Sequence, residues 1–464
     1  MKILIFIEHS AIIRHFIDSN AFSLIAKKHE VVYALPFGHK RLGKLKKKDV
    51  KIKYAKIVNL PVDEKRVSLW SSRFSVELLK GLKGWNSFQI KNSRRIFKNL
   101  NPLKIYFLYR FFGMPLIFDI FTYLVNRKLI KNPNKKLEAL VKKEKPDVII
   151  HPSVLSGVYI NDLVYVGNNF KIPIIVIMNS WDNPSSKRSV VSNNYWLLVW
   201  GPQTKMHARK LMNMPDNKVI EFGAAQFDIY SKNPKRSREN ILLYHNIRDL
   251  NYPTLLYAGS SKNTDEFSHL KKIDNAIILK KIPKVNIIYR PHPWGEGGKN
   301  SSRFRNYQFK NIVIDRNMKT YLLNNKKFES NFSAKYSDTR DLLYSVDAVI
   351  SPLSTILIEA MIMGKSPLCF MPIDEKDTFH FQLAKYNTHF KELLSKKEII
   401  VVWGGNNLLT GIKDLINKIK NKENHTNLKK ESEFFVKSFN VTFKKRILDF
   451  VEEIDKSSKN KIIN

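Results

Sequence analysis

The stretch SVDAVISPLSTILIEAMIMGKSP, residues 345–367, decides the fold class. Ala348 to Ser351 is a short apolar run that suits a strand buried on both faces. Ser354 reads as a helix N-cap with Thr355 beside it. The apolar helix ILIEAMIM follows, Gly364 ends it, and Pro367 opens the next strand. Strand, turn, helix and strand make the βαβ unit of a parallel sheet. Glu359 lies four residues beyond Thr355, one turn along the same helix face. Free N–H groups and hydroxyls at the helix start suit a phosphate, and a carboxylate one turn on can accept hydrogen bonds from ribose hydroxyls. The plainer reading of Glu359, a solvent-facing helix residue, fits poorly with its apolar neighbours.

The same alternation runs through all 464 residues. Strand-like runs are Ile3 to Ile7, Val31 to Leu35, Val148 to His151, Pro173 to Met178, Trp196 to Trp200 and Val219 to Gly223. They resume with Thr254 to Ala258, Val285 to Arg290, Ile312 to Asp315, Asp347 to Ser351, Pro367 to Met371 and Glu398 to Val402. The polar, basic break SKNPKRSREN at 231–240 separates the two series. The expected organisation is α/β, with two Rossmann-like, doubly wound parallel-sheet domains. The first spans 1–230, with a basic and aromatic helical insertion near 70–136, and the second spans 241–430. A helix at 431–454 is expected to pack back across both.

Open α/β sheets bind ligands outside the carboxyl ends of their strands, so residues just after each run matter most. In IIYRPHPWGEGG, residues 287–298, Arg290 and His292 each precede a proline. That biases both to extended geometry and aims their side chains to one side. Gly295, Gly297 and Gly298 let backbone come close to a ligand there. The plainer reading is a surface ion pair and a loop histidine. In AGSSKNTDE, residues 258–266, Gly259, Ser260 and Ser261 form a small-residue loop that leads into a helix and favours anions; such loops are also common as plain structure. The RPHP strand is expected to neighbour the helix start at Ser354 and Thr355, giving a pocket for a phosphate.

Here a resemblance enters. Glu359-Ala360 to Gly364-Lys365-Ser366-Pro367 resembles the nucleotide-binding E-A-x-x-x-G-x-P signature of GT-B glycosyltransferases. In that superfamily the glutamate contacts the nucleotide ribose, and two Rossmann-like domains face a cleft. RPHP followed by D-x-x-I-S-x-x-S-T is similar to bacterial surface-polysaccharide enzymes, among them CDP-glycerol glycerophosphotransferases and CMP-sugar-using capsule transferases. SWDNPSSK at 180–187, WGPQTKMHA at 200–208 and GAAQFD at 223–228 look like that group too, with Ala225 where its G-x-P-x-x-D element has proline. Non-hydrolysing UDP-N-acetylglucosamine 2-epimerases share the architecture, but their usual glycine pair after the serine is not found in SPLSTILIEA.

The resemblance implies a transferase that takes a nucleotide-sugar or CDP-glycerol-like donor as substrate, with no resident cofactor and a glycan or lipid-linked acceptor. No D-x-D element stands at a trustworthy strand end. Donor charge is therefore expected to be met without metal, by Arg290, His292, Lys262 and helix N-termini. An inverting transfer needs a base near the acceptor, from the first domain. The candidates are Glu8 and His9 after the first strand, His15 beyond them, and Asp182 with Asn183 and Lys187 nearby. The plainer reading of Asp182 is a capping or turn aspartate before Pro184.

Composition bounds the rest. A 43% hydrophobic content indicates a globular chain. The formal net charge of +39 has three readings: nucleic-acid binding, attraction to anionic membrane or phosphorylated substrate, and compositional bias. The lysines are spread along the chain, and no helix-turn-helix, zinc-finger or RNA-sheet signature appears, so nucleic acid is not the expected partner. The single cysteine, Cys369, excludes a disulfide framework and points to a reducing, cytoplasmic location. MKILIFI reads as a first strand and not a signal peptide. YFLYRFFGMPLIFDIFTYLV, residues 106–125, is interrupted by Arg110, Pro115 and Asp119. Arg94 and Arg95 precede it, and Lys128, Lys131, Lys135 and Lys136 follow. Two readings stand: a segment lying peripherally on an anionic leaflet, or a buried helix pair.

Overall fold

Among the residues described by the computed structural model, thirteen strands form two all-parallel sheets. The described residues are 1–38, 55–81, 101–260, 264–292, 301–323, 335–372, 383–385, 387–419 and 424–463. Two compact units result, Met1–Gln226 with Val436–Asn464, and Phe227–Phe435. Residues 231–240 fall inside the second unit, where Arg238–Tyr244 is helical.

The first unit's strands are β1 (Lys2–Phe6), β2 (Glu30–Phe37), β3 (Lys56–Pro61), β4 (Val148–Ser153), β5 (Ile174–Met178), β6 (Trp196–Val199) and β7 (Val219–Glu221). Their order is β3-β2-β1-β4-β5-β6-β7. In the second unit they are β8 (Thr254–Ala258), β9 (Asn286–Arg290), β10 (Ile312–Ile314), β11 (Ala348–Ser351), β12 (Ser366–Met371) and β13 (Ile400–Trp403), in the order β10-β9-β8-β11-β12-β13. Each expected strand run overlaps one of these strands. The thirteenth, β3, is an addition: it lies at the sheet edge with only Leu60 buried, so it lacks the continuous apolar run of a central strand.

Both orders reverse direction once, between β1 and β4 and between β8 and β11. Those two crevices are the topological switch points where open α/β sheets take ligands. Strands β4, β5, β8, β11 and β12 are buried along their whole length. In the first unit the core gathers Ile3, Ile5, Val148, Ile150 and Ile175, and the C-terminal helix Phe443–Ile463 closes it with Phe443, Ile447 and Val451. The second core gathers Leu255, Ile287, Ile350, Leu368 and Phe370.

One neighbour relation differs from expectation. β9, which carries Arg290, pairs with β8 and β10, whereas β11 pairs with β8 and β12. The RPHP strand end is therefore two strands from the start of the Glu359 helix, about 10 Å across the sheet.

Candidate functional site

At the switch point of the second sheet, β11 leads into the helix Ile356–Ile362. The cap falls on Thr355, one residue later than the expected Ser354, and its side chain makes no capping bond. Glu359 is buried, and its Oε2 accepts from the Tyr230 hydroxyl. Burial pushes the Tyr230 phenol well above its ordinary pKa and the Glu359 charge adds to this, so the phenol stays a donor at neutral pH. Gly364 ends the helix at φ +67°, a left-handed conformation that glycine adopts without penalty. Pro367 stands three residues after Gly364, one further than the glycosyltransferase signature has it.

Across the crevice, Gly259 and Ser260 follow β8, while Ser261 and Lys262 lie outside the described residues. The loop is occupied in a way the sequence did not suggest. The Ser260 N–H donates to Glu266 Oε1 at 2.7 Å, and the Tyr289 hydroxyl donates to Glu266 Oε2 at 2.5 Å. A Cβ on Gly259 would stand 2.4 Å from that carboxylate, which is why glycine is needed. Asp265 caps the following helix, Glu266–Ile278, by accepting from the Ser268 N–H. The helix start expected to favour an anion thus already holds two carboxylates, one of them fully buried.

Arg290 also departs from the expected picture of a guanidinium aimed at a ligand. It is only 6% exposed; its Nη2 donates to Thr339 Oγ1 at 2.8 Å, and its Nη1 lies 3.7 Å from the fully buried Asp315 Oδ2. His292 is half-buried just beyond the strand, and Gly295, Gly297 and Gly298 lie outside the described residues.

In the first unit, polar groups gather after β1, β4 and β5. Glu8 is buried and directs its carboxylate inward. His151 Nε2 lies 2.6 Å from Oε1, which also accepts from the Tyr159 N–H at 3.2 Å, and Oε2 accepts from the Val158 N–H at 2.8 Å. It therefore anchors the loop between β4 and the helix Ile160–Asn169. In that loop Leu155 holds φ +60°, a left-handed conformation uncommon for a leucine.

His9 Nδ1 accepts from the Ala11 N–H at 3.2 Å, which leaves the ring's proton on Nε2. Burial lowers its pKa, against the opposing pull of Glu8 and with the help of Lys187. His15 rides on a π-helical turn, Ile13–Ile17, a widening that recurs at functional sites. Its Nδ1 sits 3.2 Å from the Asn179 carbonyl oxygen, and burial drops its pKa to about 3, with Arg14 contributing.

Asp182 follows β5 and begins the short helix Asn183–Ser186. Its Oδ2 meets Lys187 Nζ at 2.8 Å and accepts from Ser186 Oγ at 3.1 Å, while Oδ1 accepts from Asn183 Nδ2 at 3.2 Å. The side chain remains 17% exposed, so this carboxylate is oriented and open to solvent together. The sequence pointed to Asn183 and Lys187 as its neighbours. It gave no sign of His151, Tyr230, Asp315 or Thr339, because each meets its partner across a long chain separation.

No protein-family model and no curated protein matches the chain. Solved structures do match over nearly its whole length. UDP-GlcNAc 2-epimerase from Neisseria meningitidis, bound to UDP-GlcNAc, is 12% identical with a TM-score of 0.51, covering 98% of this chain and 100% of that one. The Listeria monocytogenes protein described as a UDP-N-acetylglucosamine 2-epimerase by assignment is 9% identical with a TM-score of 0.52, covering 97% and 95%. The wall teichoic acid polymerase TagF is 10% identical with a TM-score of 0.48, covering 99% and 90%. At these identities the likeness is one of fold. Two parallel α/β sheets of seven and six strands give this chain a GT-B-like two-domain fold.

Proposed function

We propose that the protein is a transferase that moves a group from a nucleotide-activated donor to a glycan or lipid-linked acceptor of a surface polysaccharide. The observation that carries this reading is the position of Glu359. It lies on the helix directly after β11, beside the switch point, with Gly364 turning that helix into β12. This is the context in which a nucleotide-binding carboxylate of the resembled superfamily reads the ribose. In this reading the second unit holds the donor nucleotide at Glu359, with the Ser354 and Thr355 hydroxyls and Lys262 as phosphate ligands. Arg290, turned on Asp315 and Thr339, supports the β9 end from within.

The first unit supplies acceptor contacts and the base. Among Asp182, Glu8 and His9, Asp182 suits general base work best. Glu8 spends its carboxylate on internal donors, and the unprotonated nitrogen of His9 is engaged by Ala11. The neutral His9 instead offers Nε2–H as a donor. Base catalysis by an oriented carboxylate contributes roughly 10²–10⁴-fold.

The test is a thermal-shift panel of CMP, CDP, UDP and GDP on the wild-type protein and on Glu359→Ala. Stabilisation by one nucleotide, lost in the variant, is the expected result. Incubation with UDP-N-acetylglucosamine alone, followed by NMR, separates the epimerase chemistry named for the two matched structures; appearance of the C2 epimer overturns the transferase reading. Steep salt-dependent duplex binding with no nucleotide response moves the assignment to nucleic acid.

A further inference from the structure

Among the described residues, ten of the eighteen exposed large apolar side chains lie between Leu103 and Ile130. Nine sit on two helices, Pro102–Phe112 and Pro115–Lys131, which meet at an elbow of 88°, and the tenth, Met114, lies between them. Each helix has two faces. Inward, Ile105 packs with Phe74, Leu78 and Leu79, while Val125 and Leu129 are buried on the longer helix. Outward, Leu103 and Phe107 are each 67% exposed, and Leu116, Ile120 and Tyr123 are 72%, 51% and 62% exposed. Spacings of three and four residues put each outward set on a single stripe. A patch of this extent on a soluble surface marks an interaction site.

The pair is held firmly to its domain. Arg66, only 2% exposed, donates to the carbonyl oxygens of Leu129 and Asn132 at the end of the longer helix. It also pairs with the buried Asp162 at 2.5 Å. The stripe is therefore a fixed feature: the helices bury one face and present the other.

We propose that this face docks the protein on an anionic phospholipid surface, with the two helices lying in the plane of the leaflet. Charge selects that occupant. On the longer helix the exposed stripe passes from Leu116, Ile120 and Tyr123 to Arg127, Lys128 and Lys131, with Lys104 and Arg110 exposed on the shorter one. Asp119 is the one acidic residue on either helix. Apolar and aromatic side chains with basic neighbours are the pattern of a helix seated at the headgroup boundary. No single helix among the described residues is long and apolar enough to cross a membrane. The inference is independent of the nucleotide chemistry, since it uses no residue of either candidate site.

Flotation of the full protein tests it, using phosphatidylcholine vesicles with and without roughly one-third phosphatidylglycerol at about 0.1 M salt. Co-flotation is expected with the anionic vesicles only. The high overall charge could produce that alone, so the deciding variant changes no charge. Phe107→Ser with Leu116→Ser and Ile120→Ser should weaken partition at least tenfold, because it removes inserted apolar surface. Arg127→Gln with Lys128→Gln and Lys131→Gln should also weaken it, since each basic group near an anionic surface contributes roughly fivefold. All six positions are exposed, so thermal melts should stay unchanged. Absence of flotation overturns the proposal, as does unchanged flotation of the serine variant. A lipid-free dimer that the serine variant makes monomeric overturns it too, by identifying a second copy as the occupant.

Discussion

The Tyr230 hydroxyl donates to Glu359 Oε2, and both side chains are buried. The carboxylate proposed to read a ribose is thus already partnered by a phenol that burial keeps protonated. A ribose hydroxyl must share or displace that bond.

The two partners should therefore separate on mutation. Glu359→Ala is expected to lower nucleotide affinity at least tenfold, the loss typical of a charge-assisted hydrogen bond. Tyr230→Phe leaves the carboxylate in place but takes away its buried donor. It should lower stability by about 1–3 kcal/mol while leaving nucleotide affinity equal or tighter. Isothermal titration with the nucleotide that gives the largest thermal shift, together with urea unfolding, reads both quantities. A tenfold affinity loss in Tyr230→Phe would place the phenol itself on the ligand.

Arg290 calls for a different test from the one its sequence suggests. Removing it leaves the fully buried Asp315 with no cation at Oδ2, while Oδ1 keeps the Asn317 N–H at 2.9 Å and the neighbouring His245, whose own pKa burial lowers. Breaking a buried pair from one side typically destabilises by about 3–5 kcal/mol. Arg290→Ala should unfold at markedly lower urea, and any nucleotide loss it shows would follow from that. Arg290→Ala combined with Asp315→Asn should recover part of the stability. No recovery in the double variant would mean the two side chains are not energetically coupled.

The contrast between fold and site shows what a sequence makes visible. Parallel strands buried on both faces leave contiguous apolar runs, so β4, β5, β8, β11 and β12 could be read directly. The edge strand β3 could not, because only Leu60 on it needs to be apolar. Residues at strand ends were legible as polar, but their employment was not. Glu8 meets His151 across 143 residues and Tyr230 meets Glu359 across 129. Nothing local in GSSKNTDE separates a phosphate cradle from a loop tied to its own Glu266; only the fold decides, by bringing Tyr289 and the Ser260 N–H to that carboxylate.

Asp182 is expected to carry base function without carrying stability. It meets Lys187, Ser186 and Asn183, each within five residues, and its side chain faces solvent in part. Asp182→Asn keeps the volume and removes the proton acceptor. Turnover should fall by roughly 10²–10⁴ with donor affinity and melting temperature unchanged. Single-turnover kinetics on the donor identified by thermal shift measure this. Full activity in Asp182→Asn would move the base to His9 or to a group on the acceptor.

His15 should make the first unit sensitive to acid. Burial lowers its pKa to about 3, below the ordinary histidine value near 6.5. Between those values the unfolded chain binds a proton that the folded chain does not. Stability from this group is fully present above about pH 6.5 and falls as pH drops toward 3, at about 1.4 kcal/mol per unit once the unfolded histidine is charged. His9, whose pKa burial also lowers, adds a contribution of the same sign. His15→Asn keeps an amide donor near the Nδ1 position that faces the Asn179 carbonyl, and it removes the titration. Urea unfolding at pH 7 and pH 5 should show the wild-type protein losing about 2 kcal/mol more than the variant over that interval. Equal losses in the two proteins would show that the His15 ring accepts a proton in the folded state.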